Sequence, residues 1–359
     1  MRREIFENLF VLEMANNHWG SLQRGLDIVS AYSKIVRFNN VRAAMKLQFR
    51  DVERFIHQDF HDRTDIRYIK KTLETRLPWD AIARLLDAVR KGGMVTMATP
   101  FDEVSVDKCV ELGVQIIKIA SSDLNDWFLI EQVAKTGKPV IVSTGGSSEK
   151  DLDDLVMFFE RRNIPLAINH CVSLYPTEDR DLEMNQIDYL KARYPGHIIG
   201  FSTHEYHDWT SSMLIAYAKG ARSFERHVDI DQNGIPVSPY CSLPHQVDTW
   251  FKSYKRAVEM CGGAGVQKRR PSRPETEYLD GLVRGVYARR DLAAGTSIGD
   301  DDLYLAIPLQ KGQLSCRETM RGHVLLRDIA KDAPVSIDDV DTPYAGCEEL
   351  RQLIYRRGL

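Results

Sequence analysis

The stretch GMVTMATPFDEVSVDKCVELGVQIIKIASSD, residues 93–123, holds one complete structural repeat. Its first run, VTMA, and its last, IIKIA, are almost continuously apolar, as parallel strands buried on both faces are. Between them VSVDKCVEL carries helical periodicity and stops at Gly113, a residue that accepts the left-handed conformation common just past a helix C-terminus. A strand, a crossover helix and a second strand within about 30 residues form the unit of a parallel α/β sheet. Both strands run into polar residues: Thr99 and Asp102 follow the first, and Lys118, Ser121, Ser122 and Asp123 sit on or after the second.

The unit recurs in both directions. Strands are predicted at 10–15, 43–49, 94–99, 116–121, 139–144, 166–171, 198–203 and 222–228. Helices are predicted at 79–90, 104–112, 125–135, 149–161, 209–219 and 247–261, four of them closed by Gly113, Gly137, Asn163 and Gly220. Eight such units in a row predict a (β/α)8 barrel of the TIM type. One interval, 49–94, is longer than the rest and carries the charged insertion RDVERFIHQDFHDRTDIRYIKKTLETR (50–76), expected as a mobile loop over the barrel mouth. After the eighth unit, Gly262-Gly263-Ala264-Gly265 and the polar QKRRPSRPETE read as a linker. The expected organisation is therefore a barrel over 1–265, a linker over 266–281 and a small, mainly β domain over 282–359.

Bulk properties narrow the class. The 359 residues include 48 Lys and Arg against 51 Asp and Glu, so no global field favours nucleic acid or an anionic membrane. No stretch approaches the ~20 apolar residues of a membrane span. Six cysteines without a CxxC pair, and an N-terminus lacking a long apolar run, lead to the expectation of a reduced, cytoplasmic protein.

Barrels carry their chemistry at the C-terminal ends of the strands. There the sequence places Glu13, Asn17 and His18, then Lys46 and Gln48, Thr99 and Asp102, and Lys118 with Asp123. Ser143-Thr144-Gly145 follow, then His170, Ser173 and Tyr175, Ser202, His204 and Glu205, and finally Glu225, Arg226 and His227. Lys46, Lys118 and Arg226 are three cations on separate strands, suited to a phosphate and a carboxylate. Ser143-Thr144-Gly145 leads into a helix whose first amides add donors. His204 and His227 end adjacent strands, and imidazole is the commonest neutral metal ligand.

Taken in order, these segments resemble the N-acetylneuraminate (sialic acid) synthase family, including its spore coat polysaccharide biosynthesis relatives. The matching elements are EMANNHWG at 13–20, KLQ at 46–48, ATPFD at 98–102, KIASSD at 118–123, STGG at 143–146, HCVSLYPT at 170–177, GFSTHE at 200–205 and ERHVD at 225–229. The tail, VYARRDLAAGTSIGDDDL followed by GHVLLRDIAKDAPVSIDDV, is similar to the antifreeze-like (SAF) domain which that family carries.

The resemblance implies an enzyme that condenses phosphoenolpyruvate with a sugar aldehyde. It implies phosphoenolpyruvate binding by Lys46, Thr99, Lys118, Ser143 and Ser202. A divalent metal, Mn2+ with Mg2+ or Co2+ as substitutes, would be held by His204 and His227. Glu13, Lys118 and His227 are the implied catalytic groups, Glu13 either activating water or serving as a partner for Lys46. Gln48, Asp123, Ser173, Tyr175 and Glu225 would face the sugar. A domain-swapped homodimer follows from the same likeness. The departures cluster on the sugar side: Asp123 stands where Glu is usual, Ser173 where Asn is, Ser238 where Asp is and Ile307 where Arg is. They predict an acceptor other than N-acetylmannosamine, a related amino or deoxy sugar. The competing readings are a metal-dependent aldolase, a synthase of the Kdo or heptulosonate type, a sugar- or phosphoenolpyruvate-binding protein without activity, and an ice-binding tail.

Overall fold

A computed structural model describes residues 3–359 apart from 233, 264, 266, 319 and 320. It divides into two compact units, 1–262 and 263–359. In the first, eight parallel strands run β1 (Leu9–Ala15), β2 (Ala43–Phe49), β3 (Val95–Pro100), β4 (Ile116–Ile119), β5 (Val140–Ser143), β6 (Leu166–Cys171), β7 (Ile198–Thr203) and β8 (Ser223–Val228). Each pairs with its neighbour, and β1 pairs with β8 from Leu9↔Ser223 to Glu13↔His227, which closes the barrel. A short strand, β9 (Cys241–Ser242), adds beside the end of β8.

Strand alternation sorts the side chains. Leu9, Val11, Ala44, Met97, Ile116, Ile141 and Ala167 fill the lower interior together with Phe6, all fully buried. Their neighbours Phe10, Leu12, Met45, Leu47, Ile117 and Ile119 point outward into the core shared with the helices. This two-sided burial is why the strands read as unbroken apolar runs.

The surrounding helices are α1 (Leu22–Asn39), α2 (Val52–Phe55), α3 (Arg67–Glu74), α4 (Trp79–Lys91), α5 (Glu103–Glu111), α6 (Trp127–Lys135), α7 (Glu149–Arg161), α8 (Gln186–Arg193), α9 (Ser211–Lys219) and α10 (Pro244–Cys261). Gly113, Gly137, Asn163 and Gly220 all take positive φ, as the helix ends require. Ser148 and Asp151 form a reciprocal capping box that starts α7. Helices α1 and α8 have no counterpart in the sequence reading. The first carries a glycine, Gly25, where a Cβ would lie only 2.8 Å from Leu85 Cδ2, and the second buries only Ile187 and Leu190.

The 50–76 insertion is not the irregular loop expected. It folds into α2 and α3, with Asp51 accepting a cap bond from the Arg54 amide at 3.3 Å and Arg76 paired to Glu53 at 2.6 Å. The 266–281 segment likewise contains a helix, α11 (Arg273–Asp280), capped by Ser272. The rest of the second unit has short antiparallel pairs, β10 (Gly285–Ala288) with β11 (Leu303–Ala306) and β12 (Val324–Leu325) with β13 (Val340–Asp341), and ends in α12 (Glu348–Tyr355). Val286, Ala288, Leu292, Leu314, Val335 and Ile337 are its buried core. Among the described residues no helix is long and apolar enough to cross a membrane.

Mid-barrel, Gly200 on β7 leaves room for two neighbours: a Cβ there would lie 2.0 Å from Asn169 Oδ1 and 2.8 Å from the Ser223 carbonyl oxygen. Gly200→Ala is therefore expected to lower stability by about 2 kcal/mol, the scale of an overpacked core. Urea denaturation measures it; an unchanged midpoint would show that the strand moves freely there.

Candidate functional site

Above the apolar layer, the next inward positions are charged or polar. Glu13, Lys46, Thr99, Lys118, Ser143, Ser202 and Glu225 are all buried, each at 4% exposure or less. The ammoniums of Lys46 and Lys118 reach Glu225 Oε1 at 2.9 and 3.1 Å, and Ser202 Oγ donates to the same oxygen at 3.1 Å. Three donors on one carboxylate oxygen mark a place built to hold an anionic oxygen. Glu13 Oε2 completes the group as a second partner for Lys46, while Glu13 Oε1 accepts the Ala15 amide at 2.8 Å. Ala15 takes φ of 48°, a sparsely populated conformation for a residue with a Cβ, where the β1 register shifts.

The cluster contains two lysines and two glutamates, and its electrostatics follow from burial and pairing. Burial pushes the Lys46 ammonium down to about 7, against the attraction of Glu225. Glu225 is also pushed up by burial, but the Lys118 and Lys46 ammoniums together hold it well below the usual carboxylate range. Removing one partner from such a group leaves an uncompensated buried charge, a cost of about 3–5 kcal/mol. Around the cluster, Thr99 Oγ1, Ser143 Oγ, Glu225 Oε2 and His227 Nδ1 are buried without a hydrogen-bond partner among the described residues. Buried polar atoms are normally satisfied, so four together mark a surface that receives a polar ligand.

His204 and His227 come together with ring centroids 5.3 Å apart. His204 Nδ1 lies 3.0 Å from the Val172 carbonyl oxygen. A carbonyl only accepts, so the proton sits on Nδ1 and the Nε2 lone pair is free. Burial drives His204 down to about 4 and holds His227 well below its ordinary value, so both imidazoles are neutral near pH 7. Tyr175 lies over His204 at 4.0 Å and Tyr240 lies 5.2 Å from His227. Among the described residues no group of three or more His, Cys, Asp or Glu side chains gathers in a metal-holding arrangement.

The remaining sequence candidates divide. Gln48 sits at the interior end of β2, its Oε1 accepting from Arg50 Nη1 at 2.9 Å. Asp123 lies in the turn after β4, with Oδ2 buried and unpartnered, and burial raises its carboxyl. Ser173 is exposed, yet its hydroxyl lies where a Cβ on Gly145 would meet it at 2.2 Å. Several strand-end residues do not join the site, Glu205 among them as the partner of Arg226. Arg226 points outward, bonding Glu205 Oε1 at 2.5 Å and Ser242 Oγ at 2.8 Å, because it alternates with the inward Glu225 and His227. His170 also faces outward, bonded to the Leu182 carbonyl at 2.7 Å. Asp102 caps α5 and accepts the Asp51 amide at 2.8 Å. Ser238 lies before Tyr240 in the segment after β8, and Ile307 is exposed in the second unit.

Two functional candidates escaped the sequence reading. Arg50 follows Lys46 and Gln48 at the strand period of two, a signal that was present one step beyond the last residue considered. Tyr240 had no such signal, since it reaches His227 through the course of the segment after β8. That segment is held by Arg24, whose guanidinium bonds Asp229 Oδ1 at 2.7 Å, the Ile230 carbonyl at 2.9 Å and the Gln232 carbonyl at 3.1 Å.

Comparison with known proteins agrees with this fold. The chain is 37% identical to a crystal structure assigned as spore coat polysaccharide biosynthesis protein E from Chromobacterium violaceum, covering 94% of this chain and all of that one with a TM-score of 0.88. It is 25% identical to the N-acetylneuraminic acid (sialic acid) synthetase of Leptospira borgpetersenii, covering 76% and 91% of the two chains with a TM-score of 0.65. It is 27% identical to the pseudaminic acid synthase of Campylobacter jejuni over 82% of this chain and 85% of that one. Residues 283–341 match the SAF domain, and residues 34–265 match the NeuB family. That second match spans most of the chain and seven of the eight barrel strands: the protein belongs to the NeuB family and carries a C-terminal SAF domain.

Proposed function

We propose that the barrel condenses phosphoenolpyruvate with the open-chain aldehyde of a sugar, forming a nonulosonic acid of the sialic acid kind and releasing phosphate. The observation that carries this reading is the convergence of Lys46, Lys118 and Ser202 on one buried oxygen, ringed by the unpartnered hydroxyls of Thr99 and Ser143. Such a donor set suits a small ligand with a carboxylate and a phosphate. Synthases of sialic and pseudaminic acids among the relatives support the product class.

In this reading Lys46, Thr99, Lys118, Ser143 and Ser202 bind phosphoenolpyruvate, and Gln48, Asp123, Ser173, Tyr175 and Glu225 face the sugar. C3 of phosphoenolpyruvate forms the new bond to C1 of the aldehyde, whose oxygen takes up a proton. Water adds at C2, and the C2–O bond to phosphate then breaks. Glu13, fixed by Lys46 and the Ala15 amide, orients that water and takes its proton. Lys118 offsets charge developing on the phosphate-bearing carbon's substituents.

The two neutral imidazoles, with His227 Nδ1 buried and unpartnered and His204 Nε2 free, fit a divalent cation such as Mn2+, whose other ligands would be oxygens. Bound there, it would supply Lewis acidity toward the aldehyde oxygen. The balanced charge of the chain favours small ligands over nucleic acid or membrane, and the six cysteines without a CxxC pair support reading the protein as cytoplasmic. The protein is read as a domain-swapped homodimer, and light scattering giving a single-chain particle would overturn that part.

Phosphate release from phosphoenolpyruvate in the presence of an aldose panel is the direct test. Release that requires an aldose supports the synthase, and an aldol product formed without phosphate points to the aldolase reading instead. Lys118→Met is expected to reduce kcat/KM by about a thousandfold, the scale for a lost electrostatic donor. Chelation should abolish turnover and Mn2+ should restore it. His204→Gln and His227→Gln should each lower the Mn2+ retained per chain, read by elemental analysis; undiminished retention would place the metal elsewhere.

A further inference from the structure

His204 and His227 lie where the two strands that carry them part company. Strands β7 and β8 run in register from Gly200↔Ser223 to Thr203↔Arg226, one residue short of both histidines. At the next step β9 takes the place of β7, and His227 pairs with Cys241 instead. The separation of the two imidazoles is therefore not set by a registered pair. On the outer face Arg226 spans the gap. Its Nη2 donates to the Glu205 carbonyl oxygen at 2.9 Å and its Nη1 to Glu205 Oε1 at 2.5 Å. The residue before His227 thus holds both the main chain and the side chain of the residue after His204. Arg226 Nε donates to Ser242 Oγ at 2.8 Å, which brings β9 into the same grip.

The carboxylate is pinned from its other side. Ser212 Oγ donates to Glu205 Oε1 at 2.5 Å, and the Thr203 hydroxyl donates to Oε2. Arg226 and Glu205 are each 1% exposed, and the rings of Trp209 and Trp250 both lie 5.9 Å from the guanidinium carbon. In such surroundings an apolar pair of similar size would stabilise the fold about as well, because desolvation offsets most of what a buried ion pair gains. What the apolar pair would lack is the directed bond to the Glu205 carbonyl, which fixes where the chain leaves β7. A cation held by two imidazoles needs that fixity, since its ligand atoms must lie within about 0.2 Å of their proper distances.

We propose that Arg226 and Glu205 are positioning residues for the histidine pair, a clasp on the outside of the barrel that sets the 5.3 Å separation of the two rings inside it. The inference rests on the metal reading of His204 and His227 and adds what holds them at their spacing. Arg226 acts from behind the site, through the backbone on either side of it, and not on an anion within it.

The test compares the full-length protein with Arg226→Met and with the double variant Arg226→Met/Glu205→Leu. Without metal, the single variant should unfold at lower urea, because the Glu205 carboxylate is left buried and unpaired, and the double variant should recover most of that loss. Calorimetric titration with Mn2+ then reads the positioning. Both variants should bind Mn2+ at least about tenfold more weakly than the unaltered protein, the scale for removing the support of a metal ligand. A double variant that regains stability and also binds Mn2+ within about twofold of the unaltered protein overturns the proposal, since the pair would then serve packing alone. Should the double variant fail to fold, Ser242→Ala takes its place: it keeps both charges paired, removes only the Nε anchor and should still weaken Mn2+ binding, and unchanged affinity there also overturns the proposal. If the unaltered protein binds no Mn2+, the metal reading fails separately and a crystal structure of the double variant decides. Ring centroids displaced by about 1 Å or more from their 5.3 Å separation support the clasp, and an unchanged separation overturns it.

Discussion

Closure of the parallel sheet is the constraint on which everything else rests. Once β1 pairs with β8, Glu13 stands in register with both Lys46 and His227, although these residues are far apart in the chain. The side-chain period of two then decides which residues share the interior. Glu225 and His227 enter it and Arg226, between them, leaves it for the outer core. A slip of one residue in β8 would exchange these roles and leave Lys46 and Lys118 buried without their shared carboxylate.

That interior is layered. Phe6 and the small and branched residues of the lower strands make a dry floor, and charge begins one inward step above it. Burying four ionisable groups there is tolerable because they come as two ammoniums and two carboxylates with hydroxyl donors at hand. The pairing serves two ends at once. It stabilises the barrel's upper layer, and it holds the donors rigid for a ligand, as preorganised electrostatic sites require. The histidine pair sits one strand step away under Tyr175 and Tyr240, where desolvation keeps both rings neutral and able to donate lone pairs.

Much of this was legible in the sequence because buried parallel strands advertise themselves. All eight strands fall where apolar runs predicted them, and β2, β6 and β7 match their predicted limits residue for residue. The inward gathering of strand-end side chains was legible for positions 13, 46, 118 and 225. It was misread for Arg226 and His170, where residue type was weighed without the alternation that turns every second side chain outward. The 50–76 segment was misread for another reason. Its charged composition hides two short helices, α2 started by a cap at Asp51 and burying only Val52, α3 burying no side chain at all. Arg50 was lost with it, since its neighbours Phe101 and Asp123 lie on other strands' loops.

The same segment separates two kinds of change. It is spliced between β2 and α4, tied to the barrel by the Asp51 amide on Asp102 at one end, while Arg76 near the other pairs back to Glu53 within the segment itself. The lysine cluster, in contrast, takes its four charges from four strands, and removing any one of them breaks its charge balance. Mutation can therefore redraft these twenty-seven contiguous residues while the charged layer, gathered from distant strands, stays fixed.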